Sequence, residues 1–272
     1  MAVLRSFTTA LHSIGRRPTL AAPAAGLALI SVGSVVGQGS LLSLLTSVLA
    51  LFVGPFLTAG FIALAEDART GNRRETDFVA AGKRYTLRLL GGNLLIGIAL
   101  VAVSAVLLFG AFVVVGGFDA LRTGNFAVTP VNVALLGALA LVGWLVSLLF
   151  QFFSPAAVVE DRRVGNAIGR SVEVVTDNFL AVVGFALLSG LVSTLLNLVP
   201  MWYFVFGAAT TPEAVFTAVQ AGYPGAATPL ALTALFATSL VSTLLLQTYL
   251  VCFFGACTET TRRADDAVTI PS

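Results

Sequence analysis

Side chains that could carry catalysis are few and scattered in this 272-residue sequence. The one histidine, His12, has no metal-ligand partner nearby in sequence, so we expect it on the polar face of a helix. The two cysteines, Cys252 and Cys257, stand in an apolar stretch, where free thiols act as small hydrophobic side chains. The motifs of zinc metalloproteases, serine hydrolases and ATP-binding loops are missing from the sequence. We therefore expect no enzyme activity, no cofactor and no bound metal.

Three amide side chains inside long apolar runs are the first candidates for a binding site. They are Gln151, Asn197 and Gln247. An amide in hydrocarbon is costly unless it is paired, so each should face other helices rather than lipid. Two interpretations stay open: the amides form hydrogen bonds between helices, for which serine and threonine partners abound nearby, or they line a small polar cavity that binds a solute.

Charged residues between the apolar runs form a second candidate site. They could contact anionic lipid headgroups or dock a partner protein. The alternative is a local turn in which acidic and basic side chains neutralise each other near the membrane. The residues are Arg69, Arg73, Arg74, Lys83, Arg84, Arg88, Glu160, Asp161, Arg163 and Arg170.

The composition explains why no soluble function is expected. Hydrophobic residues make up 57% of the chain and charged residues only 10%, against about 45–50% and about 25% in ordinary soluble domains. A soluble enzyme, a nucleic-acid binder and a disordered chain are therefore excluded as good interpretations. The composition predicts an all-α, multi-span protein of the cell membrane, with the lipid bilayer as its main partner.

The charged residues divide the chain into apolar windows long enough for six membrane-spanning helices. A spanning helix needs about 20 apolar residues. The predicted spans are residues 19–36, 41–64, 90–116, 131–157, 179–206 and 230–256. Some of these helices should be kinked or ended by proline, at Pro23, Pro55, Pro155 and Pro200.

The basic residues predict the orientation of these spans. Of the 15 Lys and Arg residues, 14 fall in segments 1–18, 65–89, 158–178 and 257–272, which alternate with hairpins of two spans. Segments rich in Lys and Arg stay in the cytoplasm. Both termini should therefore be cytoplasmic, as an even number of spans requires.

A short pattern recurs three times where the second, fourth and sixth spans end. The sequences at 63–72 and 157–166 share A-x-x-E-D-x-R-x-G-N, and 256–262 keeps A-x-x-E-x-x-R. The entries to the other three spans also resemble each other. They read Ile14-Gly15-Arg16, Ala81-Gly82-Lys83 and Ile168-Gly169-Arg170, each within an amphipathic stretch. We predict one domain, 1–272, of three units at approximately 1–66, 73–160 and 164–259, each an interfacial amphipathic helix plus a transmembrane hairpin.

Residues 154–188 resemble a family pattern in which a span ends near proline and an acidic-basic turn leads to an amphipathic helix. The residues that carry the likeness are Pro155, Glu160, Asp161, Ala167, Arg170, Ser171, Asn178 and Phe179. The pattern is similar to uncharacterised archaeal and bacterial six-span membrane proteins. It is also similar to the membrane domain fused to some glycerophosphoryl diester phosphodiesterases. The resemblance implies no active site here, because the several histidine and acidic ligands of that chemistry are missing from the sequence.

Together these features predict a non-enzymatic membrane protein that acts through packing, lipid contact or docking of another membrane subunit. The alternative is a transporter or permease component for a neutral or amphiphilic solute. A coupled pump is not expected, because none of the six spans contains a charged residue or histidine.

Overall fold

The computed structural model describes residues 2–36, 41–71, 77–114, 116, 129–206 and 229–268, and all the regular secondary structure within them is helical. A short 3-10 helix, Pro18–Leu20, joins the first two α-helices. The nine α-helices of the described residues are α1 (Ala2–Arg16), α2 (Ala21–Val36), α3 (Leu41–Thr70), α4 (Phe78–Val114), α5 (Pro130–Phe150), α6 (Phe153–Val159), α7 (Val164–Asp177), α8 (Phe179–Phe206) and α9 (Pro229–Val268). The all-α prediction is confirmed.

Within the described residues, five helical segments are long and apolar enough to cross a membrane. They are Leu44–Thr70, Phe78–Val114, Pro130–Val159, Phe179–Leu198 and Leu232–Glu259. They correspond to the second to sixth predicted spans. The first predicted span, 19–36, corresponds to an apolar helical segment, Pro18–Gly33, that is shorter than these five.

The amphipathic stretches take two forms. The first and third stretches are separate short helices, α1 and α7. A non-helical residue, Arg17, ends α1, and a turn at Asn178 ends α7. The second stretch is instead the beginning of α4, which runs for 37 residues, about 55 Å. No proline or asparagine turn separates its polar start from its apolar part, and the helix is continuous over both.

Packing is densest where the charged segments of the helices meet, which we call the charged end. Five aromatic rings, from the α5–α6 break, α8 and α9, form a continuous cluster there: Phe152, Phe185, Tyr249, Phe253 and Phe254. Toward the other end, large apolar side chains lie on the surface. Leu108 of α4 is 70% exposed, Val133 of α5 is 55% exposed and Leu195 of α8 is 56% exposed. Hydrocarbon is the solvent that suits such a surface.

The predicted fourth span is broken between α5 and α6. Pro155 has no backbone N–H, and its ring would meet the carbonyl of Gln151 in a continuous helix. The break frees two backbone groups, and the hydroxyl of Ser171 on α7 satisfies both. It donates to the Leu149 carbonyl at 2.6 Å and accepts from the Phe152 N–H at 3.1 Å. The break in one span thus holds α7 in place.

Candidate functional site at the charged end

Arg69 joins the charged ends of α3 and α9. Its guanidinium donates two hydrogen bonds to the Glu66 carboxylate, at 2.8 and 2.7 Å, and a third to Glu259 at 2.7 Å. The guanidinium lies over Gly255, where an added Cβ would be 2.5 Å from the Arg69 Cζ atom. The glycine therefore makes room for a guanidinium that pairs with Glu66 on its own helix through two donors and links α3 to α9 through the single bond to Glu259, 190 residues away in sequence.

Asp161, on the turn after α6, joins that turn to α4. Arg84 and Arg88 of α4 both donate hydrogen bonds to its carboxylate. The backbone of Asp161 is left-handed, with φ of 51°, which an aspartate adopts more readily than most residues. Hydrogen bonding from Arg88, together with the positive charge of Arg84, holds the pKa of Asp161 below its ordinary value.

Glu160 ties the same turn to α7. Its carboxylate accepts a hydrogen bond from Arg162 and another from Arg170 at 3.2 Å. Arg170 also donates to Glu173 one turn further along α7, at 3.3 Å. The two acidic residues of this turn therefore contact two different helices: Asp161 contacts α4, and Glu160 contacts α7.

The ion pairs of the first two predicted units occupy corresponding positions. Arg17 lies 3.8 Å from Asp67, and Arg84 pairs with Asp161. Each arginine follows the Gly-basic pair of its entry stretch, and each aspartate follows the glutamate of the recurring pattern. The pairing thus connects the start of each unit to its end.

The third unit lacks both members of this pair. The sequence has Ser171 and Thr260 at the corresponding positions, and both are uncharged. Ser171 instead bonds to the backbone at the α5–α6 break. The arginine and the aspartate are therefore both missing from the third predicted unit.

A cavity of about 330 Å³ opens between the end of α3, the start of α4 and α6. Its polar lining comes from Glu66, Asp67, Asp77, Arg84 and Tyr85. Asp77 accepts a hydrogen bond from the Val79 N–H at 2.9 Å and so caps α4. Asp67 Oδ2 is buried and makes no hydrogen bond with a described residue. Among the residues that the structure describes, no three metal-ligating side chains converge.

The three predicted amides do not line this cavity. Gln151 Oε1 is buried without a hydrogen-bond partner in the described part of the chain. Asn197 is exposed and donates to the Ser193 carbonyl of its own helix at 2.7 Å, while Gln247 is partly buried. Counted along the helices, these residues lie about 13 Å, 28 Å and 18 Å from the nearest charged turn. The structure therefore places them at three different depths.

The charged residues predicted to meet lipid or a partner divide into three groups. Six of them form ion pairs: Arg69, Arg84, Arg88, Glu160, Asp161 and Arg170. Lys83 and Arg163 are exposed and make no salt bridge with a described residue. Arg73 and Arg74 lie outside the described residues.

Sequence reasoning did not place six of the pairing residues in the candidate site. They are Arg17, Glu66, Asp67, Arg162, Glu173 and Glu259. The signal that could have found three of them is the recurring acidic pattern itself, since its glutamates and aspartates occupy equivalent helix ends. Asp67 and Glu259 each lie near an arginine that is distant in sequence, whereas Glu66 pairs with Arg69 one turn further along its own helix.

Comparison with known proteins gives one family and no described function. No curated protein and no solved structure matches the chain. The family match extends over residues 1–257, which is nearly the whole chain and includes every ion pair described above except Arg69–Glu259. The chain therefore belongs to the family described as a domain of unknown function, DUF7847.

Proposed function

We propose that this protein is a non-catalytic scaffold of the cell membrane, with six spans and its charged end in the cytoplasmic headgroup layer. The observation that carries the proposal is the set of ion pairs at that end. They link α3 to α9, α4 to the turn after α6, and that turn to α7, above a densely packed aromatic core. Most of these charges hold helices together, and the result is a rigid platform on which lipids or another membrane subunit can dock.

The length of α2 supports a total of six spans, with α2 as the first of them. Its 16 residues extend about 24 Å as an α-helix, and the three residues of the 3-10 helix add about 6 Å. Together they match the hydrocarbon thickness of about 30 Å. Six spans also return the chain to the side on which it started, in agreement with the distribution of basic residues.

Cysteine labelling tests this arrangement in the full chain. The buried Cys252 and Cys257 are first replaced by alanine, and single cysteines are then introduced at Thr70 or Thr261 and at Thr123 or Pro224. We expect a membrane-impermeant maleimide added to intact cells to label only positions 123 and 224. Labelling of positions 70 and 261 from outside, or labelling of all four, would refute the proposed topology.

One observation favours the alternative, a transporter component for a neutral or amphiphilic solute. Broken helices are typical of transport sites, and Gln151 stands at the α5–α6 break with a buried oxygen that has no hydrogen-bond partner among the residues that the structure describes. This alternative requires saturable uptake of a neutral solute into proteoliposomes, and a Gln151→Leu substitution should abolish that uptake. Equal uptake by the protein and the variant would eliminate it.

A further inference from the structure

Helix α1 lies across the bundle rather than along it. The Tyr249 hydroxyl of α9 donates to the Val3 carbonyl at 3.3 Å, and the Phe7 ring meets the Tyr249 ring edge-on at 5.3 Å. Ser13 lies against Cys252, one turn further along α9. From Val3 to Ser13 the contacts advance about 15 Å along α1, but from Tyr249 to Cys252 they advance only about 4.5 Å along α9. The two helices therefore cross steeply, and if α9 spans the bilayer, α1 lies near its surface.

Three faces of α1 have different surroundings. The face against the bundle is buried and made of small residues, Ser6, Ala10 and Ser13. Next to the partly buried Phe7 is an exposed apolar face, with Leu4 67% exposed and Leu11 50% exposed. The remaining face is polar and exposed, and it carries Arg5, His12 and Arg16.

The arginines of α1 differ from those of the ion pairs. Arg69, Arg88 and Arg170 each contact a carboxylate. Arg5 and Arg16 are exposed and make no salt bridge with any residue that the structure describes. Two guanidinium groups that pair with no described carboxylate, about 16 Å apart along the helix, thus stand near two exposed leucines.

We propose that this outer face of α1 binds anionic phospholipid. Leu4 and Leu11 enter the acyl region, and Arg5 and Arg16 pair with headgroup phosphates, for which the planar guanidinium supplies two parallel donors. The proposal rests on the proposed function only in placing the charged end in the headgroup layer. An acidic protein partner would suit the arginines but not the leucines between them and the bundle.

Quenching of a local tryptophan by brominated lipids tests the proposal. The full chain is reconstituted with Trp144→Phe, Trp202→Phe and Leu11→Trp, in bilayers that contain brominated phosphatidylglycerol or brominated phosphatidylcholine. We expect both lipids to quench the introduced tryptophan, with phosphatidylglycerol binding more tightly. Leu108→Trp in the same background is the control, since position 108 lies far from the charged end and should show no preference.

Two further variants identify the source of the preference. Arg5→Gln with Arg16→Gln should weaken the preference for phosphatidylglycerol about fivefold for each charge removed, until at most a weak preference remains. Arg5→Lys with Arg16→Lys keeps the charge and should retain most of the preference for phosphatidylglycerol. Salt at about 1 M shortens the screening length to about 3 Å and should suppress this preference.

The possible failures are distinguishable. Equal quenching by the two lipids in the unsubstituted background, or a preference that survives the glutamine variant, would overturn the anionic-lipid proposal and leave the scaffold topology intact. No quenching at position 11 by either lipid would also overturn it. The cysteine-labelling pattern tests the topology itself, independently of lipid charge.

Discussion

Replacing Ser171 by alanine should destabilise the protein through the broken span rather than through the helix that carries the serine. The side chain is fully buried, and its hydroxyl is the partner of both the Leu149 carbonyl and the Phe152 N–H. Alanine preserves the volume of the Cβ atom but leaves both backbone groups without a partner. We therefore expect the α5–α6 break to open and α7 to loosen.

The size of the effect follows from the number of groups left unpaired. A buried backbone group that loses its partner costs about 1–3 kcal/mol in soluble proteins. Single hydrogen bonds between membrane helices contribute less, about 0.6 kcal/mol on average and about 1.7 kcal/mol at most. Two bonds are lost, and the site lies at the charged end rather than in mid-membrane. We expect a decrease of about 2 kcal/mol in the free energy of unfolding.

The assay is unfolding of the full chain in bicelles by titration with sodium dodecyl sulfate. Ser189→Ala is the matched control, because its hydroxyl donates at 2.7 Å to the Phe185 carbonyl of its own helix, so its removal leaves no buried group orphaned. Pro155→Ala restores a backbone N–H at the break. In that background Ser171→Ala should reduce the free energy of unfolding by less, because α5 and α6 can then form one continuous helix. The difference between the two reductions measures the coupling between positions 155 and 171.

Two results would refute this reasoning. One is a Ser171→Ala variant as stable as the Ser189→Ala control, which would mean that the hydroxyl satisfies no essential group. The other is an equal cost of Ser171→Ala with and without Pro155, which would mean that the serine does not act through the break.

Three other predictions concern the charged end and the packing of α4. Gly92→Ala should cost about 1–3 kcal/mol of stability, because its Cβ would be 1.9 Å from a phenylalanine ring of α6, whereas Gly91→Ala meets no atom within 4 Å and should be tolerated in the same titration. Glu259→Gln should lower the free energy of unfolding by less than about 1 kcal/mol, since the Glu259 side chain is 59% exposed. Arg69→Gln should lower it by more, because the carboxylate of Glu66 then loses its positive partner. The pKa of Asp161 is lowered in the folded protein, so its ion pairs stabilise the fold above the unfolded pKa of about 3.9 and this contribution is lost as pH falls through the lower, folded pKa. The stability difference between the protein and its Asp161→Asn variant should therefore shrink on acidification, and a difference that is constant between pH 6 and pH 2 would contradict this.

Hydropathy and charge predicted the long helices well, because each long helix is determined by residues that are close together in sequence. The starts of α3, α5 and α8 follow from apolar runs that only a helix can hold in lipid. The continuity of α4 through its amphipathic start was not predicted. An amphipathic pattern shows which side of a helix meets water, but it does not show whether the helix is interrupted afterwards.

The ion pairs between helices were not predicted for a different reason. The recurring pattern marks Glu259 as an acidic residue at a helix end, but it does not show that Arg69, 190 residues away, is its partner. The role of Ser171 was equally hidden, because it depends on a break that Pro155 causes in another helix. Of the four marked prolines, Pro55 and Pro200 lie inside α3 and α8, which continue through them.

The concentration of packing at one end of the molecule has a mechanical consequence. Bilayers differ in thickness, and a helix adapts to them by tilting at a cost of fractions of a kcal/mol per ångström. Here the tilt of α4, α5 and α8 can change where they are surrounded by lipid, while the ion pairs and aromatic rings stay in register. With the charged end in the headgroup layer, as proposed, bilayers of unequal thickness would change the tilt of these helices and leave the ion-paired end in register.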